Sequence, residues 1–246
     1  ATVCKTVYTG SIPVSTSMQT SPSSHSEPEE LIGPTPHPLH QEVRAVAATT
    51  LFGAFTRRGS SQALGNSADA ALLAALREWA DVVLVGAGTV RAEKYGPSQT
   101  PIAIVSRSLC VDTSLGVFDS PTVIILTPQS SLLHAASTTS VSSLSAAGAQ
   151  VISTEDGSAK QIVDALHSCG FNRIVCEGGP GIYADLLAND LIDVLHLTTD
   201  PSVGSTDAHW GLTFPSHPEF LREFQLEHVA TTSDSMLFSR YRRVTR

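Results

Sequence analysis

Two glycine-rich turns are the segments of this chain whose residue types and spacing best suit ligand chemistry. The first is Gly-Ala-Gly-Thr at residues 86–89, and the second is Gly-Gly-Pro-Gly at residues 178–181. Each follows one of the two most apolar runs, which predicts that each ends a buried strand. Glycine there lets the backbone approach a ligand, and free N–H groups at the start of the next helix can hold a phosphate. The turns therefore indicate a nucleotide-type site.

Neither turn matches a complete nucleotide-binding motif. Arg91 stands where the third glycine of a GxGxxG fingerprint would be, which disfavours an ordinary Rossmann dehydrogenase. The chain also lacks a GxxxxGKS or GxxxxGKT sequence, which argues against a P-loop. Taken singly, each turn has a plainer interpretation, in which its glycines only allow the chain to turn tightly.

The segments around the turns predict alternating strands and helices. Apolar runs predict seven strands, at residues 43–51, 81–86, 101–105, 122–126, 150–152, 173–176 and 192–198. Helices are predicted to begin at Asn66 or Ser67, at Ser158 and at Pro180, because these residues suit helix starts. Residues 225–230 and 236–241 predict a C-terminal antiparallel hairpin. The pattern indicates an α/β protein with a mixed, mainly parallel sheet and helices on both faces.

Composition disfavours several classes of function. The net charge of −8 opposes binding to a phosphate backbone, so no nucleic-acid partner is expected. No apolar run approaches the ~18–20 residues of a membrane-spanning helix. No signal peptide is evident either, so we expect a cytoplasmic protein without a membrane partner. The four cysteines lack CxxC spacing, so reduced thiols and no metal site are expected, with Cys169 on the buried face of its helix.

Two regions of the chain differ in composition. Residues 11–38 contain 16 Ser, Thr or Pro among 28, and such a segment buries too little to fold alone. We therefore expect residues 1–41 to form an irregular N-terminal arm, which, if ordered, is held by the rest of the chain or by a partner. Residues 42–246 carry the strand and helix pattern and are expected to form the α/β domain.

The segments around the two turns together resemble a known family. Residues 76–93, the Tyr-Gly-Pro sequence at 95–97 and residues 174–180 are similar to the reductase domain of the pyrimidine reductases of riboflavin biosynthesis, in its stand-alone form. Gly65 and Asp69 fit the first loop and helix of that family. The resemblance implies a dihydrofolate-reductase-like three-layer fold and a homodimer. It also implies NADPH-dependent reduction of the ribose of a ribosylamino-pyrimidine phosphate.

The resemblance further implies roles for individual residues. Those expected along the cofactor are Gly86, Gly88, Thr89, Gly178, Gly179 and Pro180, with Ser106 and Arg107 at its 2′-phosphate. Arginine suits that dianion because its planar fork is always charged. Glu93 stands where the family has a substrate-binding aspartate, and Glu177 is expected to orient the substrate or relay a proton. The alternatives are carboxylates favoured by a helix dipole and, for Arg107, a solvated charge.

Two positions depart from the family pattern on the expected substrate side. The family's first strand carries Lys or Asn where this chain has Val46, and its Ser-Leu-Asp-Gly-like turn has Phe52 in place of the aspartate. A site for a polar sugar phosphate loses affinity when its paired groups are missing. Besides an active pyrimidine reductase, the sequence therefore leaves open a catalytically weak, NADPH-binding paralogue with a regulatory or unknown role. A reductase of a less polar substrate is the third possibility.

Overall fold

A computed structural model describes residues 28–56, 61–203, 212 and 221–244 of the chain. Within these residues, nine strands form one sheet in the order β5-β4-β3-β2-β6-β1-β7-β9-β8. They are β1 (Glu42–Thr50), β2 (Val82–Gly86), β3 (Ile102–Val105), β4 (Val123–Thr127), β5 (Ala149–Ser153), β6 (Arg173–Cys176), β7 (Val194–Asp200), β8 (Phe224–Thr231) and β9 (Leu237–Arg243). Strands β1 to β7 are parallel, whereas β9 runs antiparallel to β7 and to β8.

Helices cover both faces of this sheet. Those in the described residues are α1 (Pro28–Ile32), α2 (Ser67–Trp79), α3 (Ala87–Ala92), α4 (Gln129–Leu132), α5 (Ala135–Ala146), α6 (Ala159–Ser168) and α7 (Pro180–Ala188). Helices α1, α2, α3 and α5 contribute to one buried apolar cluster, and α6 and α7 contribute to a second. The three-layer arrangement confirms the predicted fold class, a dihydrofolate-reductase-like α/β fold with a C-terminal antiparallel hairpin. None of the described helices is long and apolar enough to span a membrane.

Local sequence explains where the principal helices begin. The Asn66 side chain accepts hydrogen bonds from the backbone N–H groups of Ala68 and Asp69, so it caps α2. Ser158 caps α6 in the same way, and Pro180 occupies the first turn of α7. These three predicted helix starts are confirmed. Cys169, however, is exposed at the C-terminal cap of α6, because the helix ends before it can join the buried face.

The predicted hairpin is present as β8 and β9, and two of its apolar residues are buried in the body of the protein. Met236 and Phe238 are buried against the helices of the first apolar cluster. They therefore leave no apolar surface that a second chain would have to cover. The half-exposed apolar side chains of the hairpin are instead Leu226 and Val229, on the edge strand β8.

The described part of the N-terminal arm includes a helix that is fixed to the body of the protein. Arg44, which is fully buried, donates from Nη1 to the carbonyl of Ile32 at 2.7 Å. Arg240 donates from Nη1 to the carbonyl of Leu31 at 2.9 Å. Gly33 follows with a φ of +69°, and a Cβ there would lie 2.2 Å from the Arg240 guanidinium carbon. The end of α1 is thus capped by two arginines from the sheet.

Candidate ligand-binding site

The two glycine turns lie side by side because β2 and β6 are adjacent parallel strands. The Gly86 N–H donates to the carbonyl of Gly178 at 2.7 Å, which joins the turns directly. A Cβ on Gly179 would come within 2.6 Å of the Thr89 hydroxyl, so glycine is needed for this close approach. The sequence alone could suggest that both turns bind the same ligand. The order of the strands in the sheet places the two turns next to each other.

A cavity of about 1410 Å³ opens where the carboxyl ends of these strands meet. It is walled by the ends of β1 and β2, by one face of α2, by α3 and the loop after it, and by the start of α7. Single-ligand pockets usually measure ~300–1,000 Å³. The cavity is therefore large enough for two ligands bound next to each other, such as a dinucleotide and a small substrate.

Most residues predicted to contact a cofactor line this cavity. They are Gly86, Gly88, Thr89, Arg107, Gly179 and Pro180. A Cβ on Gly88 would meet nothing within 4 Å, so this helical glycine faces open space. Gly178 and Ser106 do not belong to the lining. Gly178 instead accepts the hydrogen bond that joins the two turns, and Ser106 is only 3% exposed.

Glu177 lines the cavity, but its carboxylate is already held by two side chains. Arg77 donates to it from Nε and Nη2, both at 2.6 Å, and the Tyr95 hydroxyl donates at 2.7 Å. The Arg77 guanidinium carbon also lies 5.6 Å from the centre of the Tyr95 ring. The hydrogen bonds to Glu177 raise the pKa of Arg77. The pKa of Tyr95 is also raised, mainly by burial and to a smaller extent by Glu177. These three hydrogen bonds hold the Glu177 carboxylate in one orientation, as expected of a structural brace.

Glu93 also lines the cavity, at the C-terminal cap of α3. Its Oε1 accepts a hydrogen bond from the backbone N–H of Ser61 at 3.0 Å, which ties α3 to the segment before α2. Both predicted catalytic carboxylates therefore face the same cavity. In the described part of the chain, no group of three or more His, Cys, Asp or Glu side chains is arranged to hold a metal ion.

The two departures from the family pattern occupy different surroundings. Val46 lines the cavity from β1, and its carbonyl accepts a hydrogen bond from the buried Tyr183 hydroxyl. Phe52 is 71% exposed and is not part of the cavity lining. The expectation that Phe52 lies on the substrate side is therefore wrong, because the turn that follows β1 directs this residue to the surface.

Two carboxylates of the cavity lining, Asp69 and Asp185, were not predicted as site residues. Asp69 lies on the face of α2 that borders the cavity, together with Asn66, Leu73 and Arg77. Their spacing of three or four residues is the signal that places them on one helical face. The sequence alone does not show that this face, rather than its neighbour, borders a ligand site.

The fold and this cavity define a class, the α/β proteins with a dihydrofolate-reductase-like sheet and a candidate ligand site at the carboxyl ends of its strands. The model of the RibD C-terminal domain family matches residues 41–238. The chain belongs to the RibD C-terminal domain family. It is therefore a member of a family of oxidoreductases.

Solved structures agree with this assignment. A pyrimidine reductase-like protein from Corynebacterium diphtheriae is 31% identical, with a TM-score of 0.75 over 84% of this chain and 93% of that one. RibD from Acinetobacter baumannii is 17% identical, with a TM-score of 0.66 over 84% of this chain and 59% of that one. A deaminase/5-amino-6-(5-phosphoribosylamino)uracil reductase from Thermotoga maritima is 20% identical, with a TM-score of 0.64 over 83% and 57%. The latter two show the fold. A comparison of the sequence with curated proteins gives no match.

Proposed function

We propose that this protein is an NADPH-dependent reductase of a ribosylamino-pyrimidine phosphate. The observation that carries the proposal is the pair of joined glycine turns at the wall of a cavity with room for two ligands. The family membership supports a reductase, and the Thermotoga enzyme of similar fold is named for the reduction of 5-amino-6-(5-phosphoribosylamino)uracil.

The residues present fit a dinucleotide cofactor. Gly88 has open space next to it at the cavity wall. Gly179 and Pro180 lie at the start of the nine-residue helix α7, which borders the same cavity. Free N–H groups at such a helix start suit a pyrophosphate. Arg107, exposed at the end of β3 and part of the same lining, is proposed to contact the 2′-phosphate that distinguishes NADPH from NADH.

The bound nicotinamide would supply a hydride to the sugar carbon of the substrate. The protein's own contribution is to hold the two ligands in register and to match their charge. Glu177 presents a carboxylate that Arg77 and Tyr95 keep in one orientation, with one side of Oε1 still able to accept a hydrogen bond. Glu93, which also lines the cavity, is the second carboxylate proposed to contact the substrate.

The first prediction locates the cofactor. Gly88→Val should weaken NADPH binding at least ~10-fold, which is ~1.4 kcal/mol, because the new side chain projects into the cavity without meeting protein atoms.

Wild-type protein should bind NADH at least ~10-fold more weakly than NADPH, since NADH lacks the phosphate proposed for Arg107. Titration calorimetry measures both affinities.

Arg91→Val is the matched control, because Arg91 is exposed on the same helix and outside the cavity lining. This control should bind NADPH as the wild type does. A folded Gly88→Val protein with unchanged affinity would remove the first glycine turn from the cofactor site. Oxidation of NADPH in the presence of the pyrimidine phosphate then tests the reaction itself.

A second candidate is an NADPH-binding protein of weak activity with a regulatory role. Val46 favours it, because an apolar side chain lines the cavity where the family has Lys or Asn. NADPH binding without turnover of the pyrimidine phosphate is the result expected for that candidate.

We also propose that the protein is a homodimer, with β8 in the interface. Leu226 and Val229 are each 51% exposed on this strand, which is the edge of the sheet. An exposed edge strand with apolar side chains can pair with another chain. Sedimentation should show a dimer at micromolar concentration, and Val229→Lys should shift it to monomer. A wild type that sediments as a monomer contradicts this proposal.

A further inference from the structure

The wall of the cavity near β1 is less apolar than Val46 suggests, because α2 brings a carboxylate to the same place. Val46 and Ala48 point to one face of β1, and Ala48 is paired with Thr198 on β7. Asp69 of α2 lines the same cavity as Val46 and Ala48. The cavity wall therefore includes a carboxylate from α2 as well as the apolar position where the family carries Lys or Asn.

The other polar residues on this face of α2 have structural partners. Asn66 caps the helix and donates from Nδ2 to Asp234 at 3.0 Å, and Arg77 is bound to Glu177. Asp69 is different. Across the described ranges, its carboxylate makes no ion pair.

The loop before α2 is shaped around the Asp69 carboxyl. Gly65 has a φ of +88°, and a Cβ at this position would lie 2.5 Å from Asp69 Oδ2. Burial raises the pKa of Asp69, and the Thr198 hydroxyl acts in the opposite direction to a smaller extent. A carboxyl that is partly withdrawn from water without a cationic partner costs folding free energy. Such groups in a cleft are frequent at functional sites.

We propose that Asp69 recognises the base of the substrate, by accepting hydrogen bonds from amino and N–H groups on neighbouring ring atoms. This inference rests on the proposed function. A carboxylate has two acceptor oxygens and no donor, and it can receive two parallel N–H bonds. A 5-amino-6-ribosylamino pyrimidine presents two such donors on adjacent carbons. In this assignment, the polar contact with the substrate comes from α2, and Val46 contacts the ring through its apolar surface.

Asp69→Asn tests the assignment, because the amide keeps the size of the side chain and loses the charge and one acceptor. The variant should bind 5-amino-6-(5-phosphoribosylamino)uracil ~10–100-fold more weakly, as expected for hydrogen bonds to a charged group. Its affinities for NADPH and for ribose 5-phosphate, which lacks the base, should be unchanged. Its Tm should be equal to or above that of the wild type, because a poorly compensated charge is removed.

Asp119→Asn is the matched control, since Asp119 is exposed and outside the cavity lining, and it should match the wild type in all four measurements. Equal binding of the pyrimidine by Asp69→Asn and wild type would overturn the role of Asp69. Parallel losses of pyrimidine, NADPH and ribose 5-phosphate, or a lower Tm, would overturn it in favour of a structural role. A wild type that binds NADPH but not the pyrimidine contradicts the proposed function, and with it the ligand assigned to Asp69.

Discussion

Arg44→Leu should lower the free energy of unfolding by about 3–5 kcal/mol, because it breaks a buried ion pair by removing one partner. Arg44 is fully buried and donates to Glu42 at 2.7 Å and to the carbonyls of Ile32 and Pro34 at 2.7 and 2.6 Å. Its guanidinium carbon also lies 4.2 Å from the centre of the Trp79 ring. Leucine replaces the packing but leaves both carbonyls without this donor.

Urea unfolding of the full chain, followed by circular dichroism, measures this effect as a lower midpoint at unchanged slope. Arg91→Leu is the control, because Arg91 is exposed, and its change should stay within about 0.5 kcal/mol. A loss below about 1 kcal/mol in Arg44→Leu would show that the capping of α1 is energetically unimportant. Burial lowers the pKa of Arg44 and Glu42 opposes this shift, which fits a cation held by its anionic partner.

The helix capped by Arg44 also shows what the sequence could not predict. Its five residues include two buried apolar side chains, Leu31 and Ile32, too few to reveal a periodic pattern. Its last carbonyls are satisfied by arginines 12 and 209 residues away in the chain. Helices stabilised by distant partners rather than by their own residues carry little local signal.

The strands beside the site, in contrast, were predictable from local residues. The runs that became β2 and β6 are almost continuously apolar and end in glycine turns, as expected of strands covered on both faces. Their pairing with each other was not evident, because three strands, β3 to β5, lie between them in the chain before β6 enters the sheet between β1 and β2. That insertion is what joins the two glycine turns into one site.

The substrate side of the cavity was less predictable from local residues than these strands. Val46 in β1 and Phe52 in the turn after it differ from the family pattern, but only Val46 lines the cavity. The carboxylate of Asp69 lines the same cavity from another element, because α2 packs in the same apolar cluster as Val46. The polarity of a site depends on all the helices, strands and loops that border it. Substitutions along β1 alone therefore overestimate how many polar groups the cavity lacks.

Glu177→Gln should lower the free energy of unfolding by about 2–4 kcal/mol. The Glu177 carboxylate is 4% exposed and receives three hydrogen bonds, two from Arg77 and one from Tyr95. Bonds to a charged group contribute about 1.5–3 kcal/mol each, and the figure is reduced here because Arg77 is 30% exposed and can be hydrated. Tyr95→Phe removes only one of the three bonds and should destabilise by about 1–2 kcal/mol.

The same pair of variants separates a brace from a proton relay. Since glutamine cannot release a proton, a relay predicts that Glu177→Gln loses one limb of the pH profile of turnover, whereas Tyr95→Phe keeps the wild-type rate. If Glu177 is a brace, both variants should lose stability and NADPH affinity, because Glu177 directly precedes the Gly178–Gly179 turn. The variant that loses more stability should also lose more affinity. The pH profile of the remaining turnover then keeps its shape. Unchanged stability in Glu177→Gln would contradict the brace, and a missing limb would restore the relay.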